Sequence, residues 1–395
     1  MERGITGNYE PSVAAGETCR AFVPAPLPPE PVLTIDASLQ ERLDEAHLAL
    51  GRLDSITVLL PETSVFLYSY VRKEAVMSSQ IEGTQSSLSD LMLYEAEGAP
   101  GVPLDDVREV SCYVAALEHG LGLLKGGLPL CTRLMNEMHA KLLTHGRGVG
   151  KAPGEVRRTQ NWIGGASPSR ASFVPPPPQR VGDCLSDLEK FLNDQPIRHS
   201  ALIKAALSHV QFETIHPYLD GNGRLGRLMI PLILVHEGVL REPLLYLSLY
   251  FKTYRSNYYQ MLQRVRQHGD WEEWLWFFAT AVRYTATQAV ETAKALNALG
   301  ETDRERIRSL GRVAPSALQV HQALFGRPVT TIPAICVTTG QSPHTVNKML
   351  DAMIDLGLVR EVTGMKRNRI YEYTAYLDLL NRGSRLELQR SRNPL

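Results

Sequence analysis

The chain has 395 residues, enough for two or three units with cores of their own. Hydrophobic residues make up 44% of it and charged residues 21%, which excludes a disordered or fibrous chain. Lys and Arg total 42, as do Asp and Glu, so no global field draws the chain to nucleic acid or acidic membranes; such binding would need a local patch.

Cys19, Cys112, Cys131, Cys184 and Cys336 are scattered and odd in number, without zinc-like spacing, which reads as a reduced, intracellular protein. The N-terminus lacks the apolar core of a secretory leader. Apolar runs are too short for a bilayer: Met229–Val235 is followed at once by His236 and Glu237. The expectation is a soluble cytoplasmic protein with no membrane partner.

Residues 1–36, rich in Pro, Gly and Ala, read as an extended segment over the surface. Leu39, Leu43, Ala46, Leu50 and Leu53 then share one face of a helix over Ala37–Ser55. A second long helix is predicted to begin near Glu62, after Pro61, and to run past Met77. Helical spacing continues over 104–146, broken near Gly120, with Leu134, Met138 and Leu142 recurring in its second part. Between about 147 and 180, Gly164-Gly165 and Pro175–Pro178 bracket short apolar runs, which reads as a turn-rich flap and possible hairpin.

Helices are predicted over Val181–Asn193, Pro196–Thr214, 223–236, 253–268 and Trp271–Glu291, with a boundary near Leu299–Arg304. Beyond it, Thr331–Thr338, a turn at Thr339-Gly340-Gln341 and a helix from Ser342 to Leu356 resemble a helix-turn-helix. Strands at Leu358–Val362 and Arg369–Tyr373, with Lys366 and Arg367 between them, complete a winged-helix pattern.

The chemistry converges on His216-Pro217-Tyr218-Leu219-Asp220-Gly221-Asn222-Gly223-Arg224-Leu225-Gly226-Arg227. Pro217 ends one helix at His216, and a glycine-rich turn leads into the next, whose free amides and positive dipole end face the turn. Arg224 and Arg227 are three apart and share a helix face, which suits a polyphosphate. Asp220 is the turn's carboxylate and a hard ligand suited to Mg²⁺. His216 is the side chain suited to taking a proton near neutrality. Each feature alone has a plainer explanation: a capping histidine, a tight turn, two surface arginines. Spacing points to an anion-binding loop and leaves the reaction open.

These twelve residues resemble the signature of the Fic (filamentation induced by cyclic AMP) family, with Tyr218 where the family more often has phenylalanine. The resemblance implies an all-α Fic core with a β-hairpin flap and, here, a separate small α+β winged-helix domain at the C-terminus. It implies ATP and Mg²⁺ as cofactors and transfer of AMP to a Tyr, Thr or Ser hydroxyl of a protein. His216 would be the base and Asp220 the metal ligand, with Gly221, Asn222, Gly223, Arg224 and Arg227 on the phosphates. Ile163, Gly164, Phe173 and Val174 fall in the flap on which a target segment would pair.

Ser78-Ser79-Gln80-Ile81-Glu82-Gly83 is similar to the family's inhibitory helix motif, in the subclass that carries it N-terminal to the core. Glu82 would pair with Arg227, and Ser78, one turn earlier, would fix the helix. The expected parts are 1–100 (helical, inhibitory), 101–298 (catalytic core) and 299–395 (winged helix and tail). Alternatives are AMP removal, another nucleotide transfer, or a nucleotide-sensing DNA-binding regulator. Self-modification and a homodimer are compatible with the sequence. The winged helix offers Ser342, His344, Thr345, Asn347 and Lys348 to DNA, but Asp351, Asp355 and Glu361 stand beside them, and a protein-docking role fits as well.

Overall fold

A computed structural model describes residues 3–59, 63–97, 104–146 and 148–382. The predicted start of the second helix near Glu62, the division at residues 100 and 101, and the tail after residue 382 lie outside the described residues. The chain opens with an antiparallel hairpin, β1 (Gly7–Ala14) and β2 (Glu17–Pro24), where an extended surface segment was expected. Its two-residue turn is Ala15-Gly16, both at positive φ (49° and 81°), the backbone twist that a tight hairpin requires.

Helices follow: α1 (Ala37–Leu59), α2 (Thr63–Ile81), α3 (Leu88–Glu97), α4 (Leu104–Lys125) and α5 (Thr132–Leu142). In α5, Leu134, Met135, Met138, His139 and Leu142 form the buried stripe. After the flap come α6 (Pro178–Leu192), α7 (Ala201–Ile215) and α8 (Asn222–His236). Every residue of α7 from Leu202 to Ile215 is buried, so this helix is the axis of the core rather than a surface amphipath. Ser200 caps it, its side chain accepting from the Ile203 amide.

Helix α10 (Arg255–His268) occupies the predicted 253–268 region, and a short α9 (Ser248–Thr253) precedes it. The next, α11, runs from Trp271 to Arg308, passing without a break through Leu299–Arg304 and lying along α1. Most of its aromatics are core: Trp274 is fully buried and donates its indole N–H to the Ala206 carbonyl at 2.9 Å.

The C-terminal part contains α12 (Ala314–Gly326), β3 (Val329–Thr331), α13 (Ile332–Thr339), α14 (Pro343–Asp355), β4 (Val359–Glu361), β5 (Ile370–Tyr373) and α15 (Thr374–Arg382). Thr331 and Ser342 cap α13 and α14, each followed by proline at the helix start. The sheet order is β3-β5-β4, antiparallel throughout, with Thr330 opposite Tyr371 and Arg360 opposite Glu372. This is a small α+β unit of winged-helix form beside a mostly helical core.

The C-terminal unit is not detached. Helices α12 and α15 rest on α2, and β3 rests on α3. Tyr376 of α15 is fully buried and donates its hydroxyl to Ser69 Oγ on α2 at 3.4 Å. Arg72 of α2 and Glu95 of α3 are paired at 2.6 Å, and Tyr68 donates to the same carboxylate at 2.8 Å. One helix, α2, therefore touches the C-terminal unit with one half and approaches the glycine-rich loop with the other.

Candidate active site

The loop 216–221 joins α7 to α8, and its backbone is bent at both ends. His216 has φ 49° and ψ 59°, the left-handed region, and Gly221 has φ 79°. For a non-glycine residue that conformation needs support from its neighbours. Arg157 supplies it: this buried arginine donates to the carbonyls of His216 (2.9 Å), Ile215 (3.4 Å) and Pro176 (2.6 Å). Its own amide donates to the Pro217 carbonyl at 2.9 Å. The loop is also tied internally. Asn222 accepts from the Tyr218 amide at 2.9 Å and donates to the Tyr218 carbonyl at 2.8 Å, so its side chain is committed and its contribution to an anion is through the main chain.

His216 is half-buried. Burial, reinforced by Arg157 and Arg266, pushes its imidazole down to about 3, which leaves the ring neutral with a lone pair free but makes it a weaker base than an ordinary imidazole. Asp220 Oδ1 accepts from the Gly221 amide at 2.6 Å and from Arg224 Nη2 at 3.3 Å, and the side chain remains 37% exposed. Arg224 is buried and pairs with buried Glu109 of α4, so part of its charge is already met inside the protein. Among the described residues no group of three or more His, Cys, Asp or Glu side chains is disposed to hold a metal ion. A single carboxylate suits a magnesium ion that takes its remaining ligands from phosphate and water.

Arg227 is where the two sequence motifs meet. It donates through Nε to Ser78 Oγ at 2.9 Å, and through Nη2 to the Ser78 carbonyl at 3.0 Å and to Glu82 Oε1 at 2.8 Å. The guanidinium is 2% exposed and the Glu82 side chain 35%. Burial opposes ionisation of Glu82, but Arg227, with Arg224 behind it, outweighs that and holds its carboxyl below the ordinary range. A Cβ on Gly223 would collide with the same carboxylate oxygen. Glycine thus leaves a cradle over the start of α8, and an anionic oxygen already stands in it.

The flap is a single antiparallel bridge between Ile163 and Phe173, with Ile163 N–H donating at 2.8 Å and Phe173 N–H at 3.1 Å. Phe173 and Val174 do not form an open edge. Both are buried, the Val174 carbonyl accepts from the Phe22 amide of β2 at 2.9 Å, and the Phe173 ring lies 3.9 Å from the Arg266 guanidinium carbon. The hairpin missed in the sequence occupies that side, and Ile163 spends its own N–H and C=O on Phe173, so the exposed part of the flap is residues 164–166.

Four further residues fix the site and were not singled out by sequence: Glu109, Asn136, His139 and Arg157. Asn136 accepts from the Tyr218 hydroxyl at 2.7 Å. His139 stacks on the Tyr218 ring (centroids 3.8 Å apart, 12° between planes) and contacts the Asp220 carbonyl at 2.9 Å.

The fold is that of Fic family proteins of known structure. Residues 40–122 match the model described as Fic/DOC family N-terminal, and residues 129–234 that of the Fic/DOC family. A Fic family protein from Desulfovibrio desulfuricans G20 superposes with a TM-score of 0.55 at 19% identity, over 86% of this chain and 97% of that one. A Fic domain-containing signalling protein from Bacteroides thetaiotaomicron VPI-5482 does so at 0.53 and 21% identity, over 64% and 97%. In sequence, the chain is 28% identical over 260 residues to the protein adenylyltransferase Fic of Culex quinquefasciatus, covering 64% of this chain and 47% of that protein. With that of Drosophila grimshawi it is 27% identical over 257 residues, covering 64% and 49%. The chain spans about half the length of these curated relatives.

Proposed function

We propose that this protein transfers AMP from ATP to a Tyr, Thr or Ser hydroxyl of a protein, and that Glu82 holds the reaction in check. Neutral His216 takes the proton of the acceptor hydroxyl as its oxygen bonds to the α-phosphorus. The bond from that phosphorus to the bridging oxygen breaks, and pyrophosphate leaves. The amides at the start of α8 meet the charge on the phosphate oxygens. Asp220 would hold Mg²⁺, which when bound neutralises phosphate charge. Arg227 would take the terminal phosphate once Glu82 has left it. An acceptor segment would pair with the flap at exposed Gly164, beside the Ile163 side chain. The names of the curated relatives support AMP as the transferred group.

The observation that carries the reading is the Glu82 carboxylate lying in the Gly223 cradle on Arg227, an acidic oxygen where the proposal needs a phosphate oxygen. We read the chain as an inhibitory helical part, a Fic core and a winged helix used for docking, although α11 is continuous across the junction of the last two. The test is transfer from ATP labelled at the α-phosphate, with Mg²⁺ and a cell lysate supplying acceptors. Glu82→Gly should label protein about ten- to a hundredfold faster than wild type, because a charge-assisted contact of this kind contributes about 1.5–3 kcal/mol. Adding His216→Ala should abolish the label. No AMP adduct in any form rejects the proposal.

A further inference from the structure

His139 lies on α5, outside both sequence motifs, and is fully buried. Its Nδ1 accepts the Gly154 backbone N–H at 2.8 Å. An amide can only donate, so Nδ1 carries the lone pair and the ring proton sits on Nε2. Nε2–H then donates to the Asp220 carbonyl at 2.9 Å, and no other tautomer satisfies both contacts. The ring's face lies flat on Tyr218, whose hydroxyl is fixed in turn by Asn136, one turn earlier on α5. One face of α5 therefore clamps the loop at Tyr218 and Asp220 and ties it to the base of the flap at Gly154.

We infer that His139 is a positioning residue for the Asp220 carboxylate, setting the direction in which it meets Mg²⁺ by fixing the carbonyl of the same residue. This rests on the reading of Asp220 as the metal ligand. Asp220 has few other restraints: its side chain is partly exposed and, among the described residues, holds the Gly221 amide and Arg224. Turning its peptide away from His139 would redirect the carboxylate and the Gly221 amide together. Residues that orient a ligand in this way are worth about 10–100-fold in metal affinity.

The two nitrogens can be tested apart. In Glu82→Gly full-length protein, His139→Gln places an amide donor near the Nε2 position, and His139→Asn places an acceptor near Nδ1. Two quantities are measured: the rise in melting temperature with ATP plus Mg²⁺ over that with ATP plus EDTA, and the Mg²⁺ concentration for half-maximal label transfer. His139→Asn should raise the latter about tenfold or more and lose the Mg²⁺-dependent rise, while keeping the rise due to ATP alone. His139→Gln should stay within about threefold of its Glu82→Gly parent. Gln and Asn behaving alike, or both keeping the parental Mg²⁺ dependence with only a lower melting temperature, overturns the inference. A parent in which Mg²⁺ affects neither quantity overturns the metal reading of Asp220 and the inference with it.

Discussion

Twelve contiguous residues, His216 to Arg227, announce the site because turn, helix start and charge fall within one window. Their supports could not be read the same way. Glu109 sits 115 residues from Arg224, and Asn136 sits 82 from Tyr218. Each looks like an ordinary polar helical residue until the fold brings it in. The Tyr218–Asn136 contact also explains how a hydroxyl is accommodated where the resemblance suggests a phenylalanine. Tyr218→Phe should leave the Asn136 oxygen without its donor and destabilise the fold by about 1–3 kcal/mol, read from the urea midpoint at unchanged slope. An unchanged midpoint would mean that water replaces the hydroxyl at no cost. Ser78 and Glu82 were legible only through resemblance, since neither has a local signal beyond helical spacing.

Among the elements, α2 shows how a helix is held by one face. Glu74 and Ser78 on α2, and Glu82 in the turn that follows it, come at four-residue intervals and reach, respectively, Ser248 with Tyr113, Arg227, and Arg227 again. Burial pushes the Glu74 carboxyl up to about 7, against the opposing pull of Ser248, Arg227 and Tyr113. A carboxyl raised in the folded state binds its proton more tightly there than in the unfolded chain, so it costs nothing below the unfolded value of 4.5. Stability is then lost as pH rises from about 4.5 to about 7. Wild type should therefore lose about 1–3 kcal/mol relative to Glu74→Gln across that window, measured by denaturant melts at several pH values. A difference that does not vary with pH would place an ordinary carboxyl at this position. The predicted bounds Ser342–Leu356 fit α14 closely, whereas α1 runs past its expected end at Ser55 to Leu59 and α4 runs through the break expected near Gly120 to Lys125. The β1–β2 hairpin escaped because Pro11, Pro24 and the prolines after it read as breakers, and because its partner, Val174, is 150 residues away from β2.

At the scale of the whole molecule, most of the chain's order of helices was legible, and so was the C-terminal pattern of two helices and two strands. The third strand, β3, was not, because three residues carry no usable periodicity. The division near Leu299–Arg304 rested on a local change in composition. The helix continues there because Leu296, Gly300, Asp303 and Ile307 remain buried on one face. Asp303 accepts from the buried Tyr373 hydroxyl at 2.5 Å, which binds α11 to β5.

Because α2 is in contact with both α15 and the Arg227 guanidinium, the two ends of the molecule share one thermodynamic account. If ATP displaces Glu82 and shifts α2, its binding must alter the hold of α2 on the C-terminal unit. Linkage then requires whatever binds that unit to alter ATP affinity by the same factor. Tyr376→Ala, which cuts the buried contact with Ser69, should change the apparent ATP affinity of wild type but not that of Glu82→Gly, as calorimetric titration would report. Equal changes in both would mean that the coupling bypasses Glu82. On this account the C-terminal unit would act as a distant dial on nucleotide occupancy, and the nucleotide in turn would set how firmly that unit holds whatever binds it.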